Sequence, residues 1–508
     1  MPRLVSQLVP YWAKEAPQAV ALSEAARCWT YAQLNDTIVA TADVLRRAGA
    51  VPGDRVLLVC ENGSAAVAIY FACTVLRVWP AIVNARLTER EIEEIRQHCQ
   101  PRLVVFATDG SVHALRHAQH YRARAELSGP GGLMIAPTDR EAICATVQGD
   151  PEEDVAALMY TSGTTGKPKG VMLSHRNLLF AALGAAKVRR VGRADRVLSV
   201  LPICHILGLS GVLLGSLACG AEVQLLARFD PAALLEKIEN AGTTILIGTP
   251  AMYSMLAEYA ARKTILHAHA PALRIVSTAG APLDPATKAR TEAVLGQPLR
   301  NGYGITECSP TITLGDIDAP SSDLTIGRAL DGIETRVVNA CGSDVAPGEV
   351  GELWVRGPGV MKGYYRAPDE TARVLDDEGW FRTGDLVRCS NETFTIIGRN
   401  KEMLIRFGFN VYPAEIEAVL AAHPKVAHAA VVGRSNRGDE DIAAFVELRG
   451  GEMLHADELG EYTAGRLASY KWPSAYIVVD KLPRSPAGKV LKSVLAAQIA
   501  REPALQQV

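Results

Sequence analysis

Residues 161–170 (TSGTTGKPKG) combine hydroxyl, glycine and lysine side chains in one short run. An apolar stretch at 155–160 (VAALMY) precedes them and predicts a strand. Hydroxyls and unhindered backbone N–H groups can bind a polyphosphate, lysines add positive charge, and glycines permit close approach. A Walker loop does not fit, because a glycine lies only three residues before Gly166 and Pro168 follows Lys167. We therefore predict a nucleotide triphosphate loop of another kind.

Further motifs follow this loop in a fixed order. They are LPICHILGL (201–209), STAGAPL (277–283), NGYGITE (301–307), FRTGD (381–385), and GRNKEMLIRFGFNVYPAEIE (398–417) with PRSPAGKVLK (483–492) behind it. Together they resemble the adenylate-forming superfamily, which comprises acyl-CoA synthetases, adenylation domains of peptide synthetases and luciferases. The stretch WTYAQLN (29–35) is similar to the amino-terminal strand and helix of that family. The chain is therefore identified as a member of this superfamily.

Composition excludes several other classes of protein. The formal net charge of −2 gives no electrostatic reason to expect nucleic acid or an anionic membrane as a partner. The ten cysteines include no CxxC pair, so neither zinc nor a disulfide framework is indicated. Scattered thiols and the lack of an apolar run of signal-peptide length in the first residues favour a cytoplasmic protein.

One apolar segment is compatible in length with either a membrane span or a buried part of a globular fold. Residues 197–221 contain no Asp, Glu, Lys or Arg and are long enough to cross a bilayer. Pro202, His205 and several glycines interrupt the segment, and no basic cluster flanks only one end. We predict a buried strand end, a loop and a core helix, and no membrane span.

Short apolar runs alternate with amphipathic stretches, which is typical of layered α/β folds. Asp230 and Pro231 predict the cap and first turn of a helix, and 243–248 (TTILIG) predicts the next strand. Short β runs with Gly/Pro turns around 332–356 predict a small barrel-like subdomain. The elements predicted after Arg399 are helices at 413–420 and 456–470 and strands at 426–433 and 443–448.

The predicted fold class is α/β with two domains. Residues 1–398 form a large N-terminal domain of layered αβα sheets with a small β-barrel-like subdomain. Residues 399–508 form a small α+β C-terminal domain. The family resemblance implies that this second domain is a mobile lid that rotates about Lys401.

The resemblance also implies a site for ATP. Asp385 matches the acidic residue that binds both ribose hydroxyls, and two carboxylate oxygens suit a vicinal diol. Arg399 matches a second ribose or phosphate contact, and Tyr303 matches the residue stacked beside adenine. The remaining predicted nucleotide contacts are the phosphate loop (Thr161, Ser162, Gly163, Thr164, Thr165, Gly166, Lys169), the other side of the adenine slot (Gly280, Ala281, Pro282) and Gly304.

Four residues form the predicted catalytic set. Glu307 supplies a hard oxygen ligand beside the polyphosphate, which suits Mg²⁺, and Thr306 matches the α-phosphate contact. Lys489 matches the lysine that bridges the substrate carboxylate and the α-phosphate, where one ammonium offsets the repulsion of two anions. His205 matches the histidine beside the acyl site, where it helps to place the carboxylate.

The acceptor is predicted to be CoA. Arg86, in VNARLTEREI (83–92), resembles the arginine near the nucleotide end of CoA, and Gly408 matches the glycine beside the pantetheine channel. The chain departs from the family with Phe407 where a glycine is usual, and with a shorter acidic turn at 433–441. Both departures lie near the acceptor, so the phosphopantetheine of a carrier protein stays an alternative.

The predicted function is therefore an ATP- and Mg²⁺-dependent carboxylate–CoA ligase that forms an acyl-AMP and then a thioester. The pocket motifs are small or apolar, which favours a hydrophobic fatty or aromatic acid. No buried cation is evident in the sequence to pair a second carboxylate, so a dicarboxylate is disfavoured. The alternatives are a stand-alone adenylation enzyme that loads an acyl or β-amino acyl group onto a carrier protein, a luciferase-like oxidase, and a non-catalytic ligand sensor.

Overall fold

The computed structural model describes residues 2–24, 27–137, 139, 142–147, 149–162, 168–321, 323–406, 409–436, 439–467, 469–485 and 488–501. Its helices are α1 (Leu8–Glu15), α2 (Tyr31–Arg47), α3 (Ser64–Val75), α4 (Glu89–Cys99), α5 (Val112–His120), α6 (His175–Val188), α7 (Gly215–Ala218), α8 (Pro231–Asn240), α9 (Pro250–Arg262), α10 (Pro285–Leu295), α11 (Pro368–Val374), α12 (Pro413–Ala421), α13 (Ala456–Ala464) and α14 (Lys492–Arg501). A π-helix spans Leu207–Leu214, and short 3₁₀ turns include Thr306–Cys308 and Asn400–Glu402.

The strands are β1 (Val20–Glu24), β2 (Arg27–Thr30), β3 (Arg55–Cys60), β4 (Trp79–Asn84), β5 (Leu103–Ala107), β6 (Arg124–Ala125), β7 (Leu133–Ile135), β8 (Val155–Ser162), β9 (Pro168–Ser174), β10 (Arg196–Ser199), β11 (Glu222–Leu225), β12 (Ile245–Gly248), β13 (Ile275–Thr278), β14 (Leu299–Gly304), β15 (Thr311–Leu314), β16 (Arg328–Ala329), β17 (Glu334–Val338), β18 (Val350–Arg356), β19 (Gly363–Tyr364), β20 (Phe381–Ser390), β21 (Thr393–Arg399), β22 (Leu404–Arg406), β23 (Phe409–Val411), β24 (Val426–Asn436), β25 (Asp439–Leu448) and β26 (Ala475–Val479).

Two large mixed sheets dominate the first 400 residues. One has nine strands in the order β16-β15-β14-β13-β12-β10-β11-β1-β2, and its six central strands are parallel. The other has eight strands in the order β19-β9-β8-β4-β3-β5-β7-β6, and β8, β4, β3 and β5 are parallel. Helices between the strands cover the sheets, so the α/β class is confirmed.

Local sequence signals explain where several helices begin. The Asp230 carboxylate accepts a hydrogen bond from the Ala233 N–H, and Pro231 occupies the first turn of α8, as predicted. Thr30 caps α2 by accepting from the Gln33 N–H, while the Gln33 side chain accepts from the Thr30 N–H. The predicted strand and helix at 29–35 are therefore present.

The apolar segment at 197–221 contains β10, a loop, the π-helix and α7. Every residue of the π-helix is buried, which explains why the segment needs no charged side chain. No described helix is both long and apolar enough to cross a membrane. All ten cysteines are free thiols, as the lack of paired spacing predicted.

The predicted small β subdomain is a four-stranded antiparallel sheet, β17-β18-β20-β21. After it, β22 and β23 form a hairpin, β24 pairs with β25, and β26 runs parallel to β25. The helix predicted at 456–470 is shorter, because α13 ends at Ala464 and a 3₁₀ turn follows at Ser469–Lys471. Gly465 directly after α13 is a poor helix former, which accounts for the early end.

Candidate active site

The predicted site motifs follow the carboxyl ends of neighbouring parallel strands. β12, β13 and β14 lie side by side, and they end at Gly248, Thr278 and Gly304. Ligands of open α/β sheets bind in the crevice at this edge. The hydroxyls of Thr249 and Thr278 are buried there and have no hydrogen-bond partner among the described residues. The sequence analysis missed these two buried, unpaired hydroxyls.

Asp385 stands at the centre of a charged cluster. Its side chain is almost fully buried, and its Oδ2 accepts a 2.5 Å hydrogen bond from the Tyr303 hydroxyl. The Arg399 Nε lies 2.8 Å from Oδ1. The two residues face each other across the β20–β21 pair, which brings Arg399 to Asp385. Three predicted nucleotide residues, far apart in sequence, therefore form one cluster.

Burial and charge act on this cluster together. Burial raises the pKa of Tyr303 well above its ordinary value, and the Asp385 charge raises it further, so the phenol stays protonated as a donor. Burial would lower the pKa of Arg399, but Asp385 and Glu402 outweigh it and raise that pKa. The cluster thus presents a fixed carboxylate and a fixed cation to a ligand.

Glu307 and Lys169 are joined through Tyr364. Glu307 lies in the 3₁₀ turn that begins at Thr306, and its Oε1 accepts a 2.8 Å hydrogen bond from the Tyr364 hydroxyl. The Lys169 ammonium lies 5.2 Å from the centre of the Tyr364 ring and forms an ion pair with Glu370. The sequence analysis missed Tyr364 and Glu370, because no motif covers them.

The phosphate loop is described at its two ends only. Thr161 pairs with Lys169 across the β8–β9 hairpin, and Ser162 pairs with Pro168. The predicted contacts Gly163, Thr164, Thr165 and Gly166 lie outside the described residues. Lys169, at one end of the loop, therefore lies over the Tyr364 ring, whose hydroxyl bonds Glu307.

Two glycines of the predicted nucleotide slot are required by the backbone. A Cβ on Gly304 would lie 2.1 Å from the Pro310 carbonyl oxygen, so no side chain fits there. Gly280 has a φ of +88°, which favours glycine, and it begins an accessible turn with Ala281 and Pro282. The main chain of this turn can therefore approach a flat ligand closely.

His205 lies at the start of the acyl-side wall and is half-buried. Its Nδ1 accepts a 3.3 Å hydrogen bond from the Leu207 N–H, so its Nε2 carries the proton in the neutral ring. Burial lowers the pKa of His205, which keeps the ring neutral at neutral pH. A Cβ on Gly208 would lie 2.2 Å from the Pro202 carbonyl oxygen, so the wall turns tightly here.

Lys489 faces the Asp385 cluster from the C-terminal elements. Partial desolvation lowers its pKa, Arg399 and Lys492 lower it further, and Glu402 and Asp385 oppose them. Gly488 has a φ of +83°, and a Cβ there would lie 3.6 Å from the Ala251 Cβ at the start of α9. The loop that carries Lys489 therefore reaches the edge of the nine-stranded sheet.

Arg86 belongs to a separate cluster around Glu61. Its Nε lies 3.0 Å from Glu61 Oε1, while Arg228 and Ser111 bond the same carboxylate. Burial would raise the pKa of Glu61, but the hydrogen bonds from Arg228, Ser111 and Arg86 lower it below its ordinary value. Arg228 was missed by the sequence analysis and adds a second cation beside Arg86.

Lys401 lies in the 3₁₀ turn Asn400–Glu402, and Gly408 lies outside the described residues.

Arg189 is a buried cation that the sequence analysis did not identify. Arg189 follows α6 and is only 2% exposed. Its one hydrogen bond from the guanidinium to a described residue is a 3.4 Å contact from Nη1 to the Gly211 carbonyl, and its Nε has no partner there. The sequence made no such cation evident, because a sequence pattern does not show where a helix-end side chain turns.

Two family models match the chain: AMP-binding enzyme over residues 9–365 and AMP-binding enzyme C-terminal domain over residues 415–489. A feruloyl-CoA synthase of an Amycolatopsis species is 34% identical over 493 residues, covering 94% of this chain and 96% of that protein. An indoleacetate–CoA ligase of Aromatoleum aromaticum is 33% identical, covering 97% of each. The crystal structure of ATP-bound MatB from Rhodopseudomonas palustris aligns with a TM-score of 0.87 at 30% identity, covering 99% of each chain.

Proposed function

Because the chain belongs to the AMP-binding enzyme family and is an ATP-dependent carboxylate–CoA ligase of its acyl-CoA synthetase branch, we propose an aromatic acid as its substrate class and a role for each site residue. The small or apolar wall beyond His205 supports a hydrophobic substrate, and the relatives named for feruloyl-CoA and indoleacetate support an aromatic one. The observation that carries the proposal is the cluster of Tyr303, Asp385, Arg399 and Lys489 at one sheet edge.

The nucleotide binds across this cluster. Asp385 accepts hydrogen bonds from the ribose hydroxyls, since a fixed carboxylate with two oxygens matches a vicinal diol. Tyr303 stacks beside adenine while its hydroxyl holds Asp385 in place. The turn at 280–282 forms the other side of the slot, and Gly304 lets the slot's backbone pack against the Pro310 carbonyl. Lys169 and the hydroxyls of the phosphate loop hold the β- and γ-phosphates.

Glu307 is the residue that would hold a magnesium ion beside the polyphosphate. Its carboxylate keeps Oε2 free of described partners, and Lys169 marks the phosphate side of the same cluster. No group of three or more His, Cys, Asp or Glu side chains among the described residues could hold a metal alone. The remaining ligands would be phosphate oxygens and water, as Mg²⁺ prefers. A bound ion would supply charge neutralisation at the leaving pyrophosphate.

The chemistry requires the carboxylate to attack the α-phosphate in line, with both groups anionic. In this proposal the Lys489 ammonium contacts both anions, and Thr306 donates to the α-phosphate. The neutral His205 ring donates from Nε2 to the substrate carboxylate, because its Nδ1 is occupied by Leu207. Together these residues hold the substrate carboxylate in line with the α-phosphate.

The second half-reaction requires a different arrangement of the C-terminal elements. We place the domain boundary between residues 398 and 399. In support, each described hydrophobic cluster lies wholly before residue 397 or wholly after residue 403. Separate cores can move as separate bodies. Rotation at Lys401 then withdraws Lys489 and brings Gly408 to the acyl-adenylate, where the CoA thiolate attacks.

The test is pyrophosphate release with a panel of aryl and fatty acids, with and without CoA. Sustained release that requires both an aromatic acid and CoA supports the proposal. A single equivalent of pyrophosphate, unchanged by CoA, would instead indicate an adenylate held for a carrier protein. Faster turnover of fatty than of aromatic acids would refute the proposed substrate class.

A further inference from the structure

Arg189 is a buried charge without an anionic partner among the described residues. Its guanidinium makes one long hydrogen bond, to a neutral carbonyl, and no described carboxylate forms an ion pair with it. Burial lowers the pKa of Arg189 to about 10, so the side chain still carries its charge at neutral pH. Charged groups in protein interiors are nearly always paired, because desolvation costs several kcal/mol per ion.

Arg55 shows what a satisfied buried guanidinium looks like in the same chain. It is also 2% exposed, yet its three nitrogens donate to the carbonyls of Cys99, Gly53, Ile143 and Gln100. Five N–H donors can be satisfied in this way without any carboxylate. Arg189 has one such contact, so most of its donor capacity is unused within the described structure.

The position of Arg189 relates it to the acyl side of the active site. Its one carbonyl partner among the described residues, Gly211, lies six residues after His205 on the π-helix that also carries Gly208. Tyr253, the titratable residue that acts on its pKa, packs its ring 3.2 Å from where a Gly248 Cβ would lie. Six residues advance roughly 9 Å along an α-helix, and the wider turn of the π-helix shortens that advance, so Gly211 lies within about 9 Å of His205 along the helix axis.

We propose that Arg189 is a binding residue at the far end of the acyl pocket, where it donates hydrogen bonds to an oxygen acceptor on the acid substrate. In its strongest form this acceptor is a second carboxylate. The inference rests on the proposed function, since it places the activated carboxylate at His205. A para-substituted arylpropenoic acid, which belongs to the proposed aromatic class, spans a distance of this size. The substrate is therefore apolar along its length and polar at both ends.

The test compares matched acids that differ only at the far end. The probes are cinnamate, 4-hydroxycinnamate and 4-carboxycinnamate, together with octanoate and octanedioate, and kcat/KM for CoA thioester formation is measured for each. Hydrogen bonds to a charged group contribute enough for the intact enzyme to prefer the oxygen-bearing member by about 10- to 100-fold. Comparison of the aryl acids with the aliphatic pair shows whether the enzyme recognises the far-end oxygen on an aromatic or on an aliphatic skeleton.

The variant Arg189→Met then separates recognition from folding. In Arg189→Met, kcat/KM should fall only for the oxygen-bearing acids, so the preference for them should be lost. Arg189→Lys should retain part of that preference. A structural role would lower kcat/KM for all acids by the same factor, and that result would overturn the inference. Equal use of each pair by the intact enzyme would also overturn it.

Thermal unfolding of the ligand-free variants supplies an independent readout. Arg189→Met should unfold at the same temperature as the intact enzyme or higher, because it removes an uncompensated buried charge. Arg55→Met is the matched control and should unfold at a lower temperature, since four carbonyls lose their donor. A lower unfolding temperature for Arg189→Met, together with no loss of preference, would refute the inference. Absence of turnover with every acid would refute the proposed function instead.

Discussion

Lys489→Met is the perturbation whose effect on the reaction can be worked out most fully from the structure. The substitution keeps an unbranched side chain and removes one positive charge beside Asp385 and Arg399. Two unit charges 4 Å apart interact by about 4 kcal/mol at an effective dielectric constant of 20. Loss of one preorganised group that stabilises developing charge typically costs about 10²- to 10³-fold in rate, or about 3–4 kcal/mol. We expect a loss of this size in adenylation.

The assay separates the two half-reactions. ATP–pyrophosphate exchange measures adenylation, and thioester formation from synthetic acyl-AMP and CoA measures the second step. Lys489→Met should lose the first and keep the second within a few-fold. Lys481→Met is the matched control, because Lys481 is an exposed lysine of the same C-terminal region, and it should change neither step. An equal loss in both half-reactions, or a loss below tenfold in the first, would refute the bridging role.

The pH dependence follows from the same residue. Because partial desolvation, Arg399 and Lys492 lower the pKa of Lys489, its ammonium is lost at a lower pH than that of an ordinary lysine. Adenylation should therefore fall on the alkaline side as the pH rises through this lowered pKa, below 10.5. The alkaline fall should disappear in Lys489→Met, which has no proton to lose. Retention of the same fall would assign it to another group.

Three further substitutions test the rest of the site. Asp385→Asn keeps the size of the side chain but removes its charge, and the KM for ATP should rise about 10- to 100-fold in a pyrophosphate-exchange assay, with the KM for the acid little changed. Glu307→Gln can still accept from Tyr364, so it should fold normally but need roughly tenfold more Mg²⁺ for half-maximal exchange; an unchanged requirement would exclude Glu307 as a ligand. Gly208→Ala forces a methyl group to within 2.2 Å of the Pro202 carbonyl oxygen. Urea denaturation should therefore show a free energy of unfolding lower by about 1–3 kcal/mol. Unchanged stability would mean that the backbone around Pro202 moves to accommodate the methyl group.

Local and sequential features of this chain were predictable from its sequence. The cap of α8 at Asp230 needs only neighbouring residues, and the order of motifs places the nucleotide residues along the chain. Contacts between distant segments were not predictable. Tyr364 meets Glu307 across 57 residues, and Arg228 meets Glu61 across 167. Each of these contacts depends on which segments become neighbours in the fold, and a short sequence pattern does not specify that.

The buried arginine illustrates a second limit. Arg189 and Arg190 are adjacent and equally polar in sequence, yet Arg189 is buried while Arg190 is exposed and bonds Asp318. Arg190 has a φ of +50°, so the backbone reverses there and sends the two side chains in different directions. A turn of this kind depends on the packing of α6 and the π-helix. Sequence periodicity therefore could not separate the two residues.

Lys492 has a mechanical consequence for the proposed rotation. Its ammonium lies 2.7 Å from Glu402 and 2.8 Å from Glu417, so it clamps the start of α14 to α12 and to the residue directly after Lys401. Attraction to both carboxylates outweighs burial and raises the pKa of Lys492, so the clamp persists at neutral pH. In the proposed rotation, Glu402 would therefore move together with α12 and α14. The backbone dihedral angles would then change at Lys401 or before it, and not at Glu402. The pivot would lie in the short stretch of chain between Asp385 and Glu402.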